Sequence, residues 1–290
     1  YLSFVNPRNG QLLEKVPTAS ASDGMAQAAA YVQDFSDNTA DAVYAGDLNG
    51  QMWRFDVTAA RGASTPYPAA TAIARATSGT GAGAKAQPIT TPPLIEVQAK
   101  SRKRVVMFGT GQLLDAIDIG TTDMQSFYGI VDGNASAFGS FSAPLTRADL
   151  TPLDLIAGTN LNASLGWYVD LGLDPATGYA WRMVENPTTY NGLVGFATLL
   201  PTGDACSPSG KGRVYALDFA TGKSALLDTP TGIPYASSDD AIINLKFIGV
   251  DKNVRFYTSD TKDKVIKRPF TPPTGSGLRL LNWREVPAVD

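Results

Sequence analysis

Chemistry at a protein surface needs a proton carrier, a nucleophile or a metal ligand, and this chain offers a narrow choice of them. Its 290 residues contain no histidine and one cysteine, Cys206. Without imidazole there is no Ser-His-Asp or Cys-His relay, no histidine-held zinc, iron or copper, and no proton shuttle near neutral pH. A catalytic base would have to be a carboxylate, a lysine or a tyrosine. One cysteine makes neither an internal disulfide nor a thiolate cluster, and it is compatible with either redox compartment. Cys206 stands in a Gly/Pro/Ser loop, where it is free or paired with a cysteine elsewhere.

Two strings look like nucleotide loops and fail on spacing. In GDACSPSGKG six residues separate Gly203 from Gly210-Lys211, and Gly212 stands where a Ser or Thr should hold Mg²⁺; a P-loop has about four residues there. In GTGAG, from Gly79, we expect no strand before and no helix after, which makes it a flexible loop. Arg61-Gly62-Ala63 lacks the aspartate of an integrin-binding tripeptide. The dense basic run is Lys100-Ser101-Arg102-Lys103-Arg104. It is expected at an exposed hairpin tip, keeping an edge soluble or meeting an acidic partner or anionic surface. Asp47, Asn49 and Trp53 read as structural: the first two shape a turn and the indole packs between layers.

The elements that carry these residues are short strands closed by turns. VYAGDLNGQMWRFD, from Val43, is restated as VYALDFATGKSALLD, from Val214. FVNPRNGQLLEK, YVDLGLDPATGYAWR and, more loosely, FIGVDKNVRFYTSD follow the same plan. In each, an apolar run meets an Asp or Asn that caps its own backbone. A Gly soon after (a bare turn in the loosest copy) supplies the tight turn, and a second apolar run follows. Recurring antiparallel hairpins with insertions favour a β-propeller over a β-sandwich that uses similar turns. Helical periodicity is confined to Ser22–Gln33 and Arg147–Ala157, where we expect short helices. The 28 Gly and 19 Pro fit a turn-rich globular chain, and the net charge of −3 argues against nucleic acid as a main partner. No apolar run approaches the roughly 18 residues of a spanning helix. The chain opens inside a strand with no signal-like segment, and we expect it to be a piece of a longer protein.

Longer stretches are more specific than the hairpins. They are VYAGDLNGQMWRFDV, AQPITTPPLIEV from Ala86, RVVMFGTGQLLDAIDI from Arg104, MQSFYGIVDG from Met124 and GWYVDLG from Gly166. NGLVGFATLLPTGDACSPSGKGRVYALDFATGK follows from Asn191, and LRLLNWREV from Leu278. In this order, from about Asp37 to Val286, they resemble the C-terminal domain of the type IV pilus tip-associated adhesin family (PilC/PilY). The resemblance implies an all-β chain: a modified, quinoprotein-like β-propeller with long loop insertions and a few short helices. Residues 1–290 would then be the C-terminal part of one propeller domain, with earlier blades and any N-terminal domain preceding Tyr1.

The resemblance also implies a non-enzymatic tip module for pilus biogenesis, surface attachment and twitching motility. Its partners would be minor pilins, with a host-cell or abiotic surface beyond them. Its place would be the pilus tip and cell surface of a Gram-negative bacterium, exported and outer-membrane associated. Long loops at Ala59–Gln87 and Gly133–Ala163 are expected to display the contact surface. Trp181 and Trp283 are expected to wedge between blades. Family members often carry a calcium loop before the YAGDL strand, with acids at its first, third, fifth and ninth positions. Asp41 and Asp37 fall on the ninth and fifth, whereas Gln33 and Phe35 occupy the first and third; Asp34 lies between them. The candidate calcium ligands are therefore Asp34, Asp37 and Asp41, assisted by Asn38, against the alternative of a solvated, self-capped turn. No other cofactor is expected. Two alternatives share the architecture. A quinone-dependent dehydrogenase propeller would often need a vicinal disulfide that one cysteine cannot make. The motifs at Ala86 and Arg104 point away from an outer-membrane assembly scaffold propeller.

Overall fold

Asx residues followed by glycine set the turns. At Asn6, Asp174 and Asp218 the side-chain oxygen accepts backbone N–H groups of the turn, from Arg8, Thr177 and Ala220 respectively, at 2.8–3.0 Å. Four residues after each stands a glycine, Gly10, Gly178 or Gly222, with φ of 72–73°. Its N–H closes onto the carbonyl of that same Asx residue at 2.6–2.8 Å. Residues with a Cβ rarely adopt that backbone region, so the composition of these turns follows from their geometry.

The structure, a computed structural model, describes residues 1–37, 39–59, 67–203, 208–250 and 253–272. An N-terminal hairpin pairs β1 (Leu2–Val5) with β2 (Leu12–Val16). The first blade is β3 (Ala29–Tyr31), β4 (Ala42–Gly46), β5 (Gln51–Asp56) and β6 (Thr71–Arg75), paired in chain order. A small ribbon, β7 (Thr77–Ser78) with β8 (Lys85–Ala86), leads on. The second blade comprises β9 (Leu94–Val97), β10 (Lys103–Gly109), β11 (Ser126–Asn134) and β13 (Gly166–Asp170). The short β12 (Thr151–Pro152) is added parallel at its edge. The third blade is β14 (Thr188–Tyr190), β15 (Leu193–Gly203), β16 (Pro208–Asp218) and β17 (Ala236–Ser238). The fourth has three strands, β18 (Ile242–Val250), β19 (Asn253–Asp260) and β20 (Val265–Arg268). This is the all-β, propeller-type architecture expected, with single 3₁₀ turns as its only helices among the described residues.

The cores lie at the junctions between blades. Phe127 of the second blade stacks on Phe196 of the third at 4.0 Å, and Phe196 stacks on Tyr215 at 4.6 Å. One device recurs at the junctions: a glycine in the second strand of a blade leaves room for a side chain from beyond that blade. A Cβ on Gly46 would lie 2.2 Å from Ile89, on Gly109 2.1 Å from Met183, and on Gly195 2.9 Å from Phe256. The blades are also laced by single bridges, Ala74 with Leu145, Arg182 with Leu199 and Leu226 with Phe270.

Both expected helices are corrected. The alanine-rich run from Ser22 ends in strand β3, and Ala26 donates its N–H to Gly46. Pairing with the edge of β4 outweighs the helical propensity of alanine. From Arg147 the chain makes one 3₁₀ turn, Arg147–Asp149, before Thr151–Pro152 turns extended, because Pro152 cannot extend a helix. The supposed display loops are also more ordered than expected. The first contains β6 and the ribbon; the second supplies Leu145, which bridges to the first blade.

Candidate functional site

The acids of the expected calcium loop serve the loop's own backbone. Asp34 accepts the N–H of Ser36 at 2.8 Å, Asp37 that of Thr39 at 2.8 Å, and Asp41 that of Gln33 at 2.6 Å. The Ser36 contacts hold the Asp34 carboxyl below the usual carboxylate range. Phe35, at a position where a ligand would be needed, is 78% exposed. Among the described residues no three Asp, Glu or Cys side chains converge as a metal-holding group. Ca²⁺ takes six to eight oxygens. The arrangement fits a self-capped turn and does not fit the ion; Asn38 lies outside the described residues.

Asp47 has two tasks. Its Oδ1 accepts the N–H of Gln51 at 2.9 Å, closing the turn, and its Oδ2 accepts the indole N–H of Trp53 at 2.8 Å. Both residues are fully buried, and Trp53 packs with Val16, Phe55 and Ala70 between the first blade and the N-terminal hairpin. Trp181 is likewise buried in the junction of the second and third blades, under the guanidinium of Arg213 at 3.9 Å. Trp283 and Cys206 lie outside the described residues, as do Arg61 to Ala63.

The basic run needs a correction. Its start does form a hairpin tip, with Arg102 at φ 59°. Its last member, Arg104, is wholly buried. There its guanidinium lies between the rings of Tyr31 and Phe138, 4.4 and 4.3 Å from their centroids. Alternation along a two-sided strand explains this, since every second residue of β10 points into the junction.

Arg104 belongs to a polar centre between the first and second blades that sequence reasoning did not find. Asp132, on β11 and fully buried, accepts the Tyr44 hydroxyl at 2.7 Å, Arg54 at 2.5 Å and the N–H of Gly139 at 2.8 Å. Its carbonyl accepts from Arg104 at 2.9 Å. Burial, and then the Asp132 charge, push the Tyr44 hydroxyl far above the ordinary tyrosine range. A second bracket closes the same junction. Arg147 grips Asp170 with two nitrogens at 2.6 and 3.0 Å, donates to Ser126 and the Thr77 carbonyl, and lies 4.1 Å from the Tyr168 ring centroid. Burial opposes the charge on Arg147, but Asp170 outweighs it and keeps the guanidinium firmly protonated. Arg54 and Asp132 stood in runs read as plain strand, MWRFD and YGIVDG. A charge inside an otherwise apolar strand was the available signal.

These groups bind one another. The Asp132 oxygens are already taken up, and both Arg54 and Arg147 are anchored by a carboxylate. Chemically the arrangement fixes the mutual position of two blades. The GTGAG string also differs from expectation. Strand β7 does precede it, its last three residues form a 3₁₀ turn, Gly81–Gly83, and strand β8 rather than a helix follows, so the segment is an ordered loop. It rims a cleft of about 330 Å³ that Arg75 and Arg147 also line.

Comparison with known proteins places this architecture. The model of the PilY1 beta-propeller domain matches residues 6–158. The chain belongs to that family. Over 283 residues, 87% of the chain, it is 28% identical to a type IV pilus biogenesis factor PilY1 homolog of Xylella fastidiosa. Over 230 residues, 64% of the chain, it is 29% identical to type IV pilus biogenesis factor PilY1 of Pseudomonas aeruginosa. It spans about a fifth of the length of these relatives, 21% and 20%. The crystal structure of the P. aeruginosa PilY1 C-terminal domain superposes with a TM-score of 0.66 at 19% identity, covering 92% of this chain and 65% of that one. At that identity the superposition speaks for the fold. No helix among the described residues is long and apolar enough to cross a membrane.

Proposed function

We propose that this chain is a non-enzymatic structural module of a type IV pilus biogenesis factor. It would act at the pilus tip on the surface of a Gram-negative cell, associated with the outer membrane. The observation that carries this reading is the blade junction at Asp132. There the buried Asp132 and Arg54 are committed to one another and stiffen the domain, while the relatives it matches are named as pilus biogenesis factors. A stiff platform transmits force and presents loops without reorganising. Minor pilins are its partners, and attachment to host or abiotic surfaces and twitching motility are its consequences.

The test uses the full-length protein in its own cell. Asp132→Ala should lower the number of surface pili severalfold, reduce twitching zones and abolish co-purification with minor pilins. Phe35→Ser, at an exposed loop position, should change none of these. Normal piliation in cells whose Asp132→Ala protein is shown to be misfolded would refute the role. A calcium-linked variant of this reading, in which Asp34, Asp37 and Asp41 gather around an ion as it binds, predicts a calcium-dependent rise in melting temperature that Asp37→Ala removes.

A further inference from the structure

The loop from Thr110 to Gln125, between β10 and β11, holds one acid inside and shows its aliphatic side chains to water. Asp118, 4% exposed, accepts Gln112 Nε2 and the N–H groups of Leu114 and Asp115 at 2.8–3.0 Å. Arg182, reaching in from beyond β13, donates to the carbonyls of Gln112, Asp118 and Thr121. So braced, the loop keeps Leu114 67% and Ile117 82% exposed. Aliphatic side chains held in water on a firm support mark a place where another molecule sits.

Beside Ile117 opens a cleft of about 390 Å³, which Leu48, Pro88, Asp118, Asp123 and Gln125 also line. Its walls are the β4–β5 turn, the connection into the second blade and the β10–β11 loop. A further blade would be added beside the first or the fourth and would not cover these strand ends. Gln125, 4% exposed, donates its Nε2 to the Asp123 carbonyl at 2.9 Å, which fixes the orientation of its amide. Its Oε1 accepts from no donor among the described residues. A buried acceptor without a donor is costly, so the chemistry missing from this cleft is a donor. The loop's charges are acidic: Thr110 to Gln125 carries Asp115, Asp118 and Asp123 and no Lys or Arg. At the rim Asp123 meets Lys85 at 2.5 Å, with the two side chains 42% and 66% exposed. A pair so open to water is weak and exchanges readily, and it shows that an ammonium is what Asp123 takes.

We propose that this cleft receives a lysine side chain of another protein. Its stem lies along Leu48, Pro88 and Ile117, and its ammonium donates to Gln125 Oε1 and displaces Lys85 from Asp123. Lysine unites the two demands, an aliphatic body for the apolar rim and a compact cationic donor for the acceptors. The inference goes beyond the pilus reading and does not depend on it.

The test is saturation-transfer NMR on the full-length protein with two probes. They are Nα-acetyl-lysine methylamide and its norleucine counterpart, which keeps the four-carbon stem and lacks the ammonium. The lysine probe should receive at least fivefold more saturation. Asp123→Asn should lower its signal severalfold while the melting temperature stays within about 3 °C. Gln125→Met, which keeps the stem and removes the acceptor, should lower it likewise. Lys85→Ala, which removes the resident competitor, should raise it about twofold. In native cells a benzophenone amino acid at Ile117 should give an ultraviolet adduct to a different protein, through a peptide that contains lysine. Equal saturation of the two probes would overturn the proposal, as would a signal indifferent to Asp123→Asn and Gln125→Met. So would adducts confined to the same chain or a second copy, or no adduct at all. Because piliation is not the readout, failure here leaves the pilus reading standing.

Discussion

The junction between the first and second blades and the junction between the second and third solve one problem with opposite chemistry. The second-to-third junction is apolar at its centre, where Phe127, Phe196 and Tyr215 form a continuous stack joined by Val194, Leu217 and Met183. Its arginines, Arg182 and Arg213, donate to backbone carbonyls rather than to a buried carboxylate. Burial there pushes the Tyr215 hydroxyl up to about 12. The first-to-second junction has an apolar layer too, with Ile73, Phe108 and Tyr128, but it places the Asp132 centre and the Arg147–Asp170 bracket inside or beside it. Apolar contact stabilises without direction, so it tolerates small shifts between layers. A carboxylate that needs Tyr44 and Arg54 at once accepts only one alignment. The difference teaches that this protein gains cohesion at one junction and registration at the other.

Removing the carboxylate should break the comparison most sharply. Asp132→Ala leaves Arg54 buried beside the rings of Phe138 and Phe141 without its counter-charge and should cost about 3–5 kcal/mol, read as a shift in the denaturation midpoint. Replacing both Asp132 and Arg54 by apolar residues should recover part of that loss, because the penalty lies in the unpaired charge. Additive losses would show that the centre is held by something other than this pairing.

Glycine substitutions probe how each junction yields. Gly46→Ala drives a Cβ to 2.2 Å from Ile89, a stiff β-branched side chain, and should cost about 1–3 kcal/mol. Gly109→Ala, at the second-to-third junction, meets the flexible Met183 side chain at 2.1 Å, which can turn aside, and should cost less. Equal costs measured by thermal unfolding would mean that the registered junction is no stiffer than the other. Trp53→Phe keeps the apolar packing but strands the Asp47 oxygen that accepts the indole N–H. About 1–3 kcal/mol should be lost, nearer the lower figure if water reaches the acid.

The smallest effects belong to the acidic loop. Asp37→Ala removes one turn contact on an exposed segment, and stability should change by about 0.5 kcal/mol or less. Millimolar calcium should leave the melting temperature of the parent unchanged. A rise on adding calcium that vanishes in Asp37→Ala would instead show that the loop rearranges into a metal site.

Much of the architecture was legible because turn chemistry is local. Asn6, Asp174 and Asp218, each with a glycine four residues on, announce hairpins whatever surrounds them, and VYAGDLNGQMWRFD carries its own turn. The ordered motifs from Val43 onward were enough to indicate the family. The alanine-rich run from Ser22 and the segment from Arg147 were misjudged, since strand pairing with β4 and the extended start of β12 are decisions of the neighbours.

By itself, then, the sequence determined the strands, the turns between them and the absence of imidazole chemistry, for these depend on residues a few positions apart. Only the tertiary structure decided that Asp132 would meet Tyr44 and Arg54, 88 and 78 residues away in the chain, and that Arg104 would leave the basic run for the interior. It likewise decided that Leu48, Asp123 and Gln125 would line one cleft. The physical reason is that a charge takes its meaning from its partners and its exposure, and both are set by which blades come to lie side by side.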